Sequence, residues 1–305
     1  MRAFAWFFGL ILFGLASIAL FTYPAWMLLH PHFTFPFHRI GERIGMLALL
    51  AAFALVARRL GLGDRASLGY GSPRRQFLAE MSIGLALGVL TMAAVVGIMT
   101  ALGLLDWTPA TGFNAVMLAK LVVLRLLSGL AVAFIEETFL RGAMLTAIER
   151  ESGATAAVLL TAVVYSATHF FASFRIPVDQ VSAWSGVDLL AGTLHLFAHP
   201  LGIADAFLCL LAVGAVLGAI RVTTGNIAAC IGLHAGWVWV MLVVHEMSQP
   251  LRTAPLGFLL SRFDGFVGWL VLAWTVLLGF GLRRFYLRRT SSASVIANGA
   301  STSSR

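Results

Sequence analysis

The sequence predicts an all-α protein, a polytopic transmembrane helical bundle of about eight spans. Of 305 residues, 60% are hydrophobic and only 11% charged. A soluble domain carries roughly 25% charged residues, so charge here is too sparse to cover a water-facing surface. Apolar runs that reach the length a bilayer core demands, about 20 helical residues, recur from end to end.

The runs, in order, are Phe4–Leu29, Ile44–Leu60, Phe77–Leu105, Leu126–Ala147, Ala154–Phe174, Leu201–Ile220, Ile227–Val244 and Phe266–Phe285. The first follows Arg2 directly and exceeds the roughly 7–15 apolar residues of a signal peptide, so it reads as a span. The stretch from Phe174 to Leu201 holds Asp179, Trp184, Asp188, His195, His199 and Pro200. It is too polar to span and too apolar for a free loop, and an interfacial or re-entrant segment fits. The Ser/Thr/Ala-rich tail from Thr290 has no periodicity and reads as disordered. No fixed-period repeat is visible, which disfavours transporter folds built from repeated halves.

The chain has 21 Lys+Arg against 13 Asp+Glu. These cations punctuate the connections and form no stripe with interleaved aromatics, so they read as orientation signals and not as a nucleic-acid surface. With eight spans and a cytoplasmic N-terminus, Arg2, Arg58, Arg59, Arg65, Arg74, Arg75, Arg150, Arg221, Arg283, Arg284, Arg288, Arg289 and Arg305 fall inside. Arg39, Arg43, Lys120, Arg125, Arg175, Arg252 and Arg262 fall outside. The bias favours both termini in the cytoplasm. Cys209 and Cys230 lie in apolar runs without metal-type spacing and read as buried thiols.

Within the fourth span stands Glu136-Glu137-Thr138-Phe139-Leu140-Arg141. Each charge at a helix centre costs about 2.5–3.5 kcal/mol on insertion scales, so the three demand compensation. Glu137 and Arg141 share a helix face and can pair, whereas Glu136 is rotated by about 100° and stays available. A buried packing network is the plain structural alternative. The fifth and seventh spans bring His169 and His234 to depths within roughly two turns of Glu136. Each alone reads as a helix–helix hydrogen-bond partner; two imidazoles with a free carboxylate can bind and activate water for attack on a carbonyl.

Other polar residues read more plainly. His195 and His199 form an i,i+4 pair without a nearby Glu and read as interfacial. His30, His32 and His38 belong to the first outer loop, His245 and Glu246 mark a membrane boundary, Asn226 is a helix N-cap, and Trp237 and Trp239 are packing or cavity-lining residues.

Three motifs follow in order on three spans: Glu136-Glu137-x-x-x-Arg141, Tyr165-x-x-x-His169 and His234-x-x-x-Val238. In type, order and spacing they resemble the CAAX-protease and bacteriocin-processing (CPBP, or Abi) intramembrane proteases, which include the type II CAAX prenyl endopeptidases. The resemblance runs from about Leu126 to Val244. It departs at Tyr165, where Phe is commoner, and at Val238, where many members carry Asn; if that Asn helps hold an oxyanion, this chain uses another donor, or is slower, or is not a protease.

The resemblance implies a protease core over 111–247, after N-terminal helices over 1–110 and before a last helix over 248–289 and a tail over 290–305. It implies hydrolysis of a peptide bond in a membrane-associated, lipidated or hydrophobic substrate, with Glu136 and His169 activating water, His234 stabilising the oxyanion, and Glu137 and Arg141 positioning the helix. Two forms stay open: a zinc ion held by Glu136, His169 and His234, or a metal-free glutamate-dependent mechanism. The expected partners are the substrate and the lipid bilayer, the expected place a bacterial plasma membrane. A catalytically inactive scaffold or bacteriocin-immunity protein of the same fold and a proton-coupled carrier are the competing readings.

Overall fold

The computed structural model describes residues 2–109, 113–172 and 174–302. Its α-helices are α1 (Arg2–Leu29), α2 (Phe37–Val56), α3 (Arg74–Ala101), α4 (Ala115–Glu137), α5 (Leu145–Thr168), α6 (Ser185–Ala198), α7 (Ala204–Thr224), α8 (Ala228–Met247) and α9 (Trp269–Thr302). A π-helical segment, Thr138–Met144, joins α4 to α5. Two short strands, β1 (Leu105–Trp107) and β2 (Ser248–Pro250), pair antiparallel. The chain is the helical bundle its composition predicts.

Among the described residues, six helical stretches are long and apolar enough to cross a membrane. One of them, Ala115–Phe171, has 57 residues, more than twice what one crossing takes. Gly153 breaks it at φ 83° and ψ 165°, a conformation essentially confined to glycine, so the stretch turns back and supplies two crossings. Helix α2, of 20 residues, is the remaining helix of crossing length. It starts immediately after Pro36 and ends at Val56, earlier than the expected Ile44–Leu60, because its first turns tolerate charge through the exposed Arg39–Glu42 ion pair at 3.2 Å. Helix α4 begins well before Leu126 because the Asn114 side chain accepts the N–H groups of Val116 and Met117 and caps it there.

Contacts at the helix ends reveal an up-and-down course. At the end that holds the start of α1, Glu151 accepts the N–H groups of Arg2 and Ala3, Arg150 donates to the Gly61 carbonyl, and Arg289 of α9 pairs with Glu80 of α3 at 2.7 Å. At the opposite end, Arg125 of α4 pairs with Glu246 of α8, and β1 pairs with β2. Each contact joins ends that alternating crossings place on one side.

The centre of the bundle is α8, held between α3 and α4 by glycine. Gly84 and Gly88 of α3 face Gly232 and Gly236 of α8: a Cβ on Gly232 would lie 2.0 Å from the Met81 carbonyl oxygen, and one on Gly88 would lie 2.4 Å from that of Leu233. Small residues four apart on both helices let the backbones touch. Gly129 brings α4 against the Ala235 carbonyl in the same way. Helix α6, of 14 residues, is too short to span. It packs against α1 through Gly186. The backbone of α9 runs on to Thr302, into the tail that composition reads as disordered; without proline, its Ala and Ser residues let the helix continue. Residues 303–305, Arg305 among them, and residues 110–112 at the expected boundary of the first two domains lie outside the described residues.

Candidate active site

The last turn of α4 brings Glu136 and Glu137 into the bundle, and the π-helical segment begins at the next residue. Such segments insert an extra residue into a turn and recur at functional sites. Glu137 is fully buried. Its Oε1 accepts two hydrogen bonds, from Arg141 Nη1 at 3.0 Å and from His234 Nδ1 at 2.9 Å. The first is the pair predicted from spacing. The second joins α4 to α8 and has no sequence signature.

Arg141 is also fully buried, and its Nη2 donates to the Gly214 carbonyl of α7 at 3.2 Å while its guanidinium lies 4.7 Å from the centre of the Tyr165 ring. Its own carbonyl accepts from Arg221 Nε at 3.2 Å, and Arg221 Nη2 donates to Thr146. Helix α7 therefore holds the π-helical segment from both sides of Arg141. Sequence reading places Arg221 among the inner-loop cations; here it is buried at the end of α7.

Glu136 differs from its neighbour. Its side chain retains 32% exposure, and its Oε2 stands 4.0 Å from His234 Nε2. That gap is beyond a direct hydrogen bond and within the span of a water bridge. Because the Glu137 carboxylate accepts from Nδ1–H of His234, the other ring nitrogen is directed to Glu136.

His169 ends α5, where its Nδ1 donates to the Tyr165 carbonyl at 2.7 Å, leaving Nε2 for other contacts. It makes no hydrogen bond or ion pair with either carboxylate among the described residues. Tyr165 relates it to the rest: the ring packs against His169 at 4.4 Å between centroids and against His234 edge-on at 6.0 Å. Glu136, Glu137, Arg141 and His234 thus form one connected group, and His169 adjoins it through Tyr165. Val238, further along α8, offers no donor.

Zinc fits this arrangement poorly. Among the described residues no group of three His, Cys, Asp or Glu side chains could hold a metal ion. Glu136 and His234 approach each other to 4.0 Å, and His169 adjoins them through the Tyr165 ring.

The remaining polar residues stand apart. His199 Nδ1 donates to the His195 carbonyl within the exposed end of α6. The Asn226 side chain accepts the N–H of Ala228 at the start of α8. Trp237 donates to Thr91 and Trp239 to the Val122 carbonyl, pinning α8 to α3 and α4. Both cysteines are free and buried.

No curated protein and no solved structure matches the chain. Residues 118–240 match the profile of the type II CAAX prenyl endopeptidase Rce1-like family, a stretch that runs from α4 into α8 and holds all five residues singled out from the sequence. The chain is therefore an integral membrane protein that, over residues 118–240, is similar to the type II CAAX prenyl endopeptidases of the Rce1-like family.

Proposed function

We propose that the protein is an intramembrane endopeptidase that hydrolyses a peptide bond of a membrane-associated, hydrophobic or lipidated substrate. The observation that supports this most is the asymmetry of the paired glutamates: Glu137 is fully buried with its Oε1 engaged by both Arg141 and His234, while the part-exposed Glu136 makes no direct hydrogen bond to either and turns Oε2 to His234 Nε2, 4.0 Å away. A carboxylate so placed at bilayer depth is costly unless it serves a function.

In the mechanism, a water between Glu136 and His234 is the nucleophile. Glu136 takes its proton as general base while the water oxygen bonds the scissile carbonyl carbon. The Glu137 carboxylate fixes the His234 ring; when Nε2 is protonated its N–H stabilises the oxyanion, in place of the donor that Val238 does not provide. Glu136 then passes its proton to the leaving amine as the C–N bond breaks. Arg141 balances the charge of Glu137. His169, with Nδ1 committed to Tyr165, turns Nε2 to the substrate beside this pair. The cation bias assigns both termini to the cytoplasmic side, most simply of a bacterial plasma membrane.

The test is cleavage of hydrophobic and prenylated C-terminal peptides by purified protein in detergent. Glu136→Gln should lower the rate by about 10²–10⁴-fold with the fold intact, as loss of a general base does, and cleavage should persist after chelation. Wild-type rates in Glu136→Gln would contradict the proposal; loss on chelation, restored by zinc, would show that the three side chains close around a metal.

A further inference from the structure

Three consecutive residues of the α2–α3 connection lie against the catalytic helices. The backbone at Leu68 packs on the π-helical segment, where a Cβ on Gly142 would meet the Leu68 carbonyl oxygen at 2.8 Å. The Gly69 carbonyl accepts the N–H of Ile227 at the entry to α8. Gly69 has φ +80° and no room for a side chain, since a Cβ would lie 2.9 Å from Ile227 and 3.2 Å from Arg221. The connection is thus seated on the π-helical segment, on the Arg221 side chain of α7 and on the residue that leads into α8, with the next residue, Tyr70, aimed at the carboxylate-bearing turn.

That turn runs from Phe134 to Thr138, with Glu136 and Glu137 inside it. Thr138 Oγ1 donates to the Phe134 carbonyl at 2.6 Å and closes it. Since the threonine proton is spent there, the short hydrogen bond between Tyr70 and Thr138 has the tyrosine as donor. The Tyr70 ring meanwhile packs on Phe134 at 5.9 Å and stacks on Phe77 of α3 at 5.4 Å. Tyr70 straddles the turn, ring on one end and hydroxyl on the other.

We infer that Tyr70, acting through Thr138, is a positioning residue for Glu136: the α2–α3 connection, outside the matched domain, sets the orientation of the general base. A hydroxyl of Thr bonded back to the preceding turn bends a helix, and a donor to that hydroxyl fixes the bend. Without it the turn relaxes where the carboxylates emerge, at the point where the hydrogen-bond ladder changes register, and the 4.0 Å separation of Glu136 from His234 loosens. Catalysis is sensitive to such small misplacements. The inference rests on the proposed peptidase activity.

The experiment compares Tyr70→Phe, Thr138→Val, Thr138→Ser and their combination in the full chain, with cleavage of a peptide that the wild type accepts. Tyr70→Phe keeps the ring contacts and removes one hydroxyl. It should lower kcat about tenfold, the worth of one buried hydrogen bond, with KM and thermal midpoint unchanged. Thr138→Val should match it, Thr138→Ser should restore activity, and Tyr70→Phe with Thr138→Val should be no slower than either alone. Equal kcat in Tyr70→Phe and wild type overturns the inference and leaves the peptidase reading intact, as does a fall in kcat that only parallels a fall in thermal midpoint. A wild type that cleaves no peptide overturns that reading, and this inference with it.

Discussion

Among the described residues Arg141 is the largest side chain wholly withdrawn from solvent, and its guanidinium is the counter-charge of a carboxylate that is equally buried. Removing one partner of such a pair leaves the other charge uncompensated, at a cost of about 3–5 kcal/mol. Arg141→Ala should therefore lower the thermal midpoint markedly in detergent, whereas Glu136→Gln should hardly change it; a stable Arg141→Ala would contradict the role given to the pair. At this scale the sequence was legible where chemistry is local. Spacing of four residues announces the Glu137–Arg141 pair, and rotation about the helix separates Glu136 from it. The His234 contact bridges positions 97 apart in the chain, and only packing of α8 on α4 creates it. His169 Nδ1 is bonded within its own helix to the Tyr165 carbonyl, and the Tyr165 ring links it to His234, a connection that no spacing announces.

Among elements, α8 matters most, because it brings His234 to the carboxylates. Its depth and rotation are fixed where Gly232 and Gly236 meet Gly84 and Gly88. Gly232→Val would drive a side chain into the Met81 carbonyl, so it should destabilise by about 1–3 kcal/mol, the usual cost of overpacking, and displace His234. Unfolding in detergent measures the first effect and cleavage the second; a stable, active Gly232→Val would mean that close backbone contact is not what seats the helix. The helices could be read from apolar runs, and the Gly153 break fell where two runs adjoin. The π-helical segment could not. A change of hydrogen-bond register leaves no mark in composition, and Gly142, on which the Leu68 backbone rests, is its one local trace.

For the whole molecule, alternating crossings follow from contacts such as Glu80–Arg289 and Arg125–Glu246, each joining helix ends on a common side. The distribution of Arg and Lys is the basis on which the side of the two termini is proposed to be cytoplasmic. Both native cysteines are buried, so cysteines introduced at Arg58 or Arg283 should react with impermeant reagents only from the cytoplasmic side, and one at Arg252 only from the other; the reverse pattern would invert the topology. Composition made the bundle legible but not the grouping of α4, α5, α7 and α8 around one carboxylate, because helix association in lipid depends on small residues and hydrogen bonds that hydropathy does not weigh. That grouping underlies the claim that Glu136 and His234 act as one unit. Single-turnover cleavage by Glu136→Gln, His234→Ala and the double variant tests it most directly. The account predicts that the double variant is no slower than the slower single variant; independent, multiplying losses would contradict it.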